Sequence, residues 1–230
     1  MVRTVVAYLG GIALIVLGVA AGQWQQGRAA EKSALQQAWD AARSRPATPF
    51  AGAPQIEPTD MQRVRLSGRW LHHDMVFEDN HRYRGRFGYH VYGVLRLAGG
   101  SGLVLVNRGW IEAPPTRAER PVVRTPSDEI EIEGHVRTLP PRSLELSHEV
   151  VEGRLWQNVT PRRFAHYLGQ PVLGFVVFQE SAAPDGLVRD WPRPDFGIDK
   201  HRAYAFQWYA LAALGALMIV AFALKGAREP

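Results

Sequence analysis

The sequence predicts an α+β membrane protein: two transmembrane helices, N- and C-terminal, flanking an antiparallel β-rich, barrel- or sandwich-like extramembranous domain with one short packed helix. Three observations predict it. An uncharged apolar run fills 4–22, and a second fills 203–224. Each matches the roughly 20 residues that span a bilayer. Between them, apolar residues alternate with polar ones in short runs broken by Gly and Pro, which is the period of strands.

The first run, 4–22, is preceded by Arg3 and carries no charge. Val19-Ala20-Ala21 has the look of a small-residue cleavage site, but the apolar stretch is longer than the usual core of a signal peptide and reads as a span. Gly11, Gly18 and Gly22 fall on one side of it, and Gly18-x-x-x-Gly22 would let a second helix approach closely. The second run ends at Lys225 and has no polar face, which a soluble core helix of that length rarely lacks. Two spans put both termini on one side of the membrane, and residues 24–32 and 198–208 at the same membrane face. Arg3, Lys225 and Arg228 flank one side, and Arg28, Lys32, Lys200 and Arg202 the other. A long connecting domain translocates regardless of charge, so the basic residues leave orientation open.

The segment 23–45 is rich in Ala, Glu, Gln and Leu and continues the first span as a helix in water. A Pro-rich linker follows at 46–60. The β-rich domain occupies 61–190 and a juxtamembrane linker 191–202. Strands are expected at 61–70, 88–97, 103–106, 129–136 and 175–178. Gly99-Gly100-Ser101-Gly102 marks a hairpin turn. Leu103-Val104-Leu105-Val106 is unbroken and suits a strand buried on both faces. Ile130 and Ile132 face one way, and Glu129, Glu131 and Glu133 the other. Thr160 caps a short helix with Pro161 at its first position, and Gly169 ends it. Segments 112–128 and 139–154 read as loops.

The chain has 230 residues, 27 basic and 22 acidic, so the net charge of +5 is modest. It suits a membrane surface, and its scatter speaks against nucleic acid. The absence of cysteine excludes disulfides, thiolate zinc sites, iron–sulfur ligation and a cysteine nucleophile. It also weighs against Cu(I) delivery, which favours soft sulfur ligands. No phosphate-binding loop, nucleophile elbow, dinucleotide fingerprint or His-Glu-x-x-His motif occurs. His72-His73-Asp74, with His81 and His90 nearby, read as solvated histidines near a turn rather than a metal site. Nothing in the domain announces catalysis.

The membrane face is more informative. Trp24, Gln25, Arg28 and Lys32 close the first span, and Lys200, His201, Arg202, Tyr204, Trp208 and Tyr209 open the second. An aromatic belt with snorkelling cations explains Trp24, Tyr204, Trp208 and Tyr209. It explains His201 less well. His201, Tyr204 and Trp208 share one helical face. A neutral imidazole at that depth is an available ligand for haem iron, with an arginine near for a propionate.

These segments, with Val106-Asn107-Arg108-Gly109-Trp110, carry a resemblance. The chain resembles the surfeit-locus-one (Shy-one-like) family of cytochrome c oxidase assembly factors. The family's Trp-Gln with following Arg and Lys is matched by Trp24, Gln25, Arg28 and Lys32. Its Val-Asn-Arg-Gly-Trp is matched by residues 106–110. Its His, Tyr-Ala and Gln-Trp are matched by His201, Tyr204-Ala205 and Gln207-Trp208. Arg202 departs from the apolar residue often found after the histidine. The resemblance implies a non-enzymatic factor in the bacterial inner membrane, with a periplasmic middle domain and cytoplasmic termini. It implies binding of haem a, with His201 as axial ligand and Arg28, Trp24, Tyr204 and Trp208 around it, and help in inserting haem into oxidase subunit I. Implied partners are subunit I, haem a synthase or other assembly factors, and the lipid bilayer, and a homo-oligomer is compatible with this. The alternative is a cofactor-free scaffold holding an assembly intermediate. Asn107, Arg108 and Trp110 either dock a partner or hold a strand end, Arg108 as a buried ion pair and Trp110 as core.

Overall fold

The computed structural model describes residues 2–52, 58–71, 74–99, 102–116, 119–138 and 151–226. His72, His73 and most of segment 139–154 lie outside the described residues. The chain divides into two compact units, Met1–Asp40 with Arg193–Pro230, and Ala41–Pro192.

The first unit is built from two helices, α1 (Val2–Ser44) and α3 (Ile198–Gly226). Both are long and apolar enough to cross a membrane. Their outward side chains include Leu9, Val16, Leu17, Leu217 and Phe222, all exposed. A helix that shows apolar groups outward wants lipid rather than water around it. This is a membrane protein. The two helices meet through residues that lack bulk. A Cβ on Gly18 would lie 2.7 Å from the Trp208 carbonyl oxygen and 2.9 Å from the Ala212 Cβ. One on Gly22 would strike the Tyr209 ring, and one on Gly11 the Ile219 side chain. Gly11, Gly18 and Gly22 therefore do form the contact stripe, continued by buried Ala29, against Ala205 and Ala212. In hydrocarbon no hydrophobic drive joins helices, so close backbone approach supplies the packing.

The second unit is a closed β-barrel with additions. Its strands are β1 (Thr48–Pro49), β2 (Arg63–Trp70), β3 (Val76–Tyr83), β4 (Arg86–Leu97), β5 (Leu103–Glu112), β6 (Ile130–Arg137), β7 (Val151–Glu152), β8 (Leu155–Trp156) and β9 (Val176–Gln179). The order is β1-β2-β6-β9-β5-β4-β3-β8-β7, and β2 also pairs with β4. That extra pairing closes a ring of β2, β6, β9, β5 and β4. Closure removes sheet edges. It needs β4 to serve β3 with one end and β2 with the other. Gly68 permits this, because a Cβ there would lie 2.2 Å from the Arg96 carbonyl oxygen across the β2–β4 seam. The ladders are mainly antiparallel, but β5–β9, β1–β2 and β3–β8 run parallel. The sheet is thus mainly antiparallel, as expected, and β9 runs parallel to β5 because it enters after a crossover through α2 (Pro161–Leu168).

The barrel is filled by Val64, Leu66, Leu95, Val104, Val106, Ile132, Val136 and Val177. Leu103, Leu105, Val94 and Val176 point the other way and are covered by Trp156, Val159 and Phe164 of α2. The unbroken run at 103–106 is thus buried on both faces, as its composition requires. Thr160 accepts a hydrogen bond from the Arg163 N–H, Pro161 opens α2, and Gly169 closes it at φ 65°. Strand β3 was not expected. Its polar sequence hides the alternation, and a bulge between Glu78 and His81 breaks the period. Strand β5 runs on to Glu112, inside the segment read as a loop.

Candidate functional site

Helix α3 starts just after Gly197 (φ 69°), whose N–H is held by the Asp195 carboxylate at 2.8 Å. One turn in, His201 stands half-buried on the edge of the face turned to α1, ahead of Ala205 and Ala212. Its Nδ1 lies 2.7 Å from Gln25 Oε1 of α1. A carboxamide oxygen only accepts, so Nδ1 carries the ring proton and donates it to Gln25. In a neutral ring so held, the lone pair is on Nε2. This is the arrangement by which a second group fixes the tautomer and orientation of a ligating imidazole.

None of the other expected residues hydrogen-bonds this pair among the described residues. Trp24 is 61% exposed, Tyr204 52% and Trp208 36%. Trp24 neighbours Gln25 on α1, while Trp208 lies two turns beyond His201 on α3, its carbonyl against Gly18. Arg28 binds Glu31 one turn on at 2.5 Å, an exposed pair of little net worth. Its guanidinium is therefore free to exchange that carboxylate for another. Arg202 lies 3.7 Å from Asp199, exposed, and does not bury beside the imidazole. Gln25, expected at this depth beside Trp24 but not among the expected haem-site residues, is the one that bonds His201. The bond it makes spans 176 positions of sequence.

In the β domain, residues 107–110 sit in β5 at a second bulge, where Val91 opposes Gly109 and Tyr92 opposes Asn107. Arg108 is the extra residue. Gly109 follows at φ 144°, where a Cβ would lie 2.8 Å from Leu187 and from the Val188 carbonyl. Arg108 is 2% exposed. It donates to Asp185 (3.2 Å), Thr125 (2.7 Å) and the Arg124 carbonyl (2.8 Å), and its guanidinium lies over the Trp70 ring. Asp185 is shared with Arg189 at 2.5 Å. Burial pulls the Arg108 guanidinium below its ordinary value, with Asp185 opposing. A cavity of about 550 Å³ opens beside Arg108, walled by Trp70, Ile130, Ile132, Gln179 and Asp185. Asn107 is fully buried and accepts the Gly109 N–H. Trp110 is core, with its indole N–H on the His81 carbonyl.

His81 and His90 are not separate solvated histidines. Their rings stack at 3.6 Å, and both face the carboxylate of Glu78. Burial, then the neighbouring His81, pushes His90 down to about 3, so it is neutral in the physiological range. Glu78 belongs to the unexpected strand, so no reading by spacing could place it there. Elsewhere on the barrel, Glu180 gathers Arg43, Arg63 and His135. Burial pushes its carboxyl up, but those three partners outweigh it and hold the group below its usual value.

No curated protein matches the chain. The SURF1 family matches it over residues 12–213, which takes in most of α1, the whole barrel and the first half of α3. The match covers most of the sequence, and the chain accordingly belongs to the SURF1 family, whose members are associated with cytochrome oxidase assembly.

Proposed function

We propose that this protein binds haem a at the membrane face and assists its insertion into subunit I of a haem–copper oxidase. The observation that carries the reading is the Gln25–His201 hydrogen bond, which leaves the Nε2 lone pair of an imidazole presented at the membrane boundary. Haem a supplies an iron that accepts such a nitrogen, an apolar tail and two carboxylates. His201 would hold the iron through Nε2. Gln25 holds the ring from turning. Trp24, Tyr204 and Trp208 would offer aromatic surface to the macrocycle and tail, and Arg28, now paired with Glu31, would hold a propionate. A half-exposed site suits cargo that must leave again. In this reading the barrel is periplasmic, the termini are cytoplasmic, and the partners are subunit I with haem a synthase or other assembly factors. The protein carries no reaction of its own.

The test is the absorption spectrum of the detergent-purified protein co-expressed with the haem a biosynthetic enzymes. Wild type should carry a haem a band. His201→Ala should lose or shift it, and Gln25→Leu should lower retention about tenfold, the usual cost of removing an outer-shell partner. Equal haem in wild type and His201→Ala, or haem in neither, would end this reading and leave the cofactor-free scaffold.

A further inference from the structure

We propose that the barrel domain carries a transition-metal site of its own, in which Glu78 Oε2, His81 Nε2 and His90 Nδ1 bind one divalent ion of the Cu²⁺ or Zn²⁺ class. The proposal stands apart from the haem reading and uses none of its residues.

The geometry points to it from the backbone upward. Glu78 and His90 are direct cross-strand partners in the β3–β4 ladder, so their side chains emerge on one face. His81 lies three residues beyond Glu78, and in an unbroken strand it would face the other way. The bulge between them reverses this. Asn80 takes up φ 67°, a conformation that L residues seldom adopt, with its N–H held by the Asp79 carboxylate at 2.7 Å. The extra residue turns His81 onto the Glu78 face. Bulges that re-aim one side chain are features a fold keeps for a use.

The three ligand atoms lie within 4.8 Å of one another. Glu78 Oε2 is 2.8 Å from His81 Nε2 and 3.9 Å from His90 Nδ1. The carboxylate is held in place from behind. Its Oε1 accepts the Val159 N–H at 3.0 Å, and its Oε2 accepts the Tyr92 hydroxyl at 3.1 Å. Such support orients a ligand before the metal arrives. Only His81, the most exposed of the three, must tilt from the ring stack to share an ion with His90. The site opens on a cavity of about 340 Å³ walled by Tyr83, Asp190 and Trp191. Three protein ligands with an open fourth position is the pattern of a site that exchanges ligands rather than one that only braces a fold. Two imidazoles and one carboxylate, with no sulfur, favour Cu²⁺ and Zn²⁺ over Cu⁺, Ca²⁺ or Mg²⁺.

The experiment is a titration of the haem-free, chelator-stripped full chain in detergent with Cu²⁺ and Zn²⁺, followed by calorimetry and, for Cu²⁺, electron paramagnetic resonance. We expect one ion per chain, tighter binding of Cu²⁺ than Zn²⁺, resonance hyperfine structure from coordinated nitrogen, and a metal-dependent rise in Tm. His81→Ala and Glu78→Gln should each weaken binding at least about tenfold, while His201→Ala should bind as wild type does. His81→Gln, which keeps a polar partner for Glu78, serves if the alanine variant melts early. Absence of binding by the wild type overturns the proposal. So does binding that the Glu78 and His81 substitutions leave unchanged, which would assign the ion to other histidines.

Discussion

The helix pair and the barrel achieve close packing by opposite means. Between α1 and α3 the contact depends on what is missing: Gly18 lets backbone meet backbone, Gly11 and Gly22 make room for Ile219 and the Tyr209 ring, and no side chain could be added without collision. In the barrel the contact depends on what is present. Large apolar groups fill both faces of β5, and a guanidinium, Arg108, is buried among them with its carboxylate. The difference follows the solvent. Water rewards burial of apolar area, so a water-facing domain gains by filling its interior. Lipid gives no such reward, so a membrane pair gains by fitting.

This contrast can be tested by damaging each region in its own way. The largest effect is expected at Arg108. Arg108→Ala leaves Asp185 to the one remaining guanidinium of Arg189 in a buried place, and breaking a buried pair costs about 3–5 kcal/mol. Chemical denaturation followed by tryptophan fluorescence reads it, and a loss below about 1 kcal/mol would mean the pair is not what holds β5. Next comes Leu105→Ala, which removes a fully buried side chain and should cost about 3 kcal/mol in the same assay. On the membrane side, Gly18→Leu overpacks the α1–α3 contact by about 2 kcal/mol. It should lower the temperature at which the detergent-solubilised helix pair separates and leave the barrel's near-UV spectrum unchanged.

Acid distinguishes two places within the barrel. His90 is neutral when folded, with its pKa pushed to about 3, and takes a proton near 6.5 when unfolded. Stability is therefore whole above pH 6.5 and falls by up to about 1.4 kcal/mol per pH unit below it, the value for one proton. The fall ends near pH 3. His90→Gln should flatten that slope. Glu180 works in a lower window: its depressed carboxyl stabilises the fold above pH 4.5 and loses that contribution as the pH drops further. Melting curves from pH 7 to pH 3 read both. The smallest effect is Thr160→Ala, which removes the cap of α2 and should cost about 1 kcal/mol.

Where neighbouring residues decide a structure, the sequence is legible. The uncharged runs, the unbroken apolar strand at 103–106, the alternation of Ile130 and Ile132, and the Thr160–Pro161–Gly169 signals each specify an element through local chemistry. Where distant residues decide it, the sequence is silent. Strand β3 escapes notice because Glu78, Asp79, Asn80, His81 and Arg82 hide its period and the bulge shifts it. For the same reason His81 and His90 read as solvent-facing until Glu78 is placed between them. The two-span layout brings 24–32 and 198–208 to one membrane face but does not pick out the Gln25 bond to His201, and the Asp185 bond to Arg108 joins positions 77 residues apart that no spacing rule connects.

Strand β9 has a consequence for how the protein is made. It is the stave between β6 and β5, and it is the last strand among the described residues. Until residues 176–179 emerge, the ring of five strands has a gap that no earlier segment closes. Pairings between such distant segments form slowly, because the loop-closure entropy is lost before the contacts form. The chain then reaches α3 at Ile198, soon after β9 ends. Closure of the barrel and insertion of the second span are thus nearly simultaneous events in synthesis. A ribosome stalled before residue 176 would display an open sheet with unpaired strands, the form most exposed to chaperones and proteases.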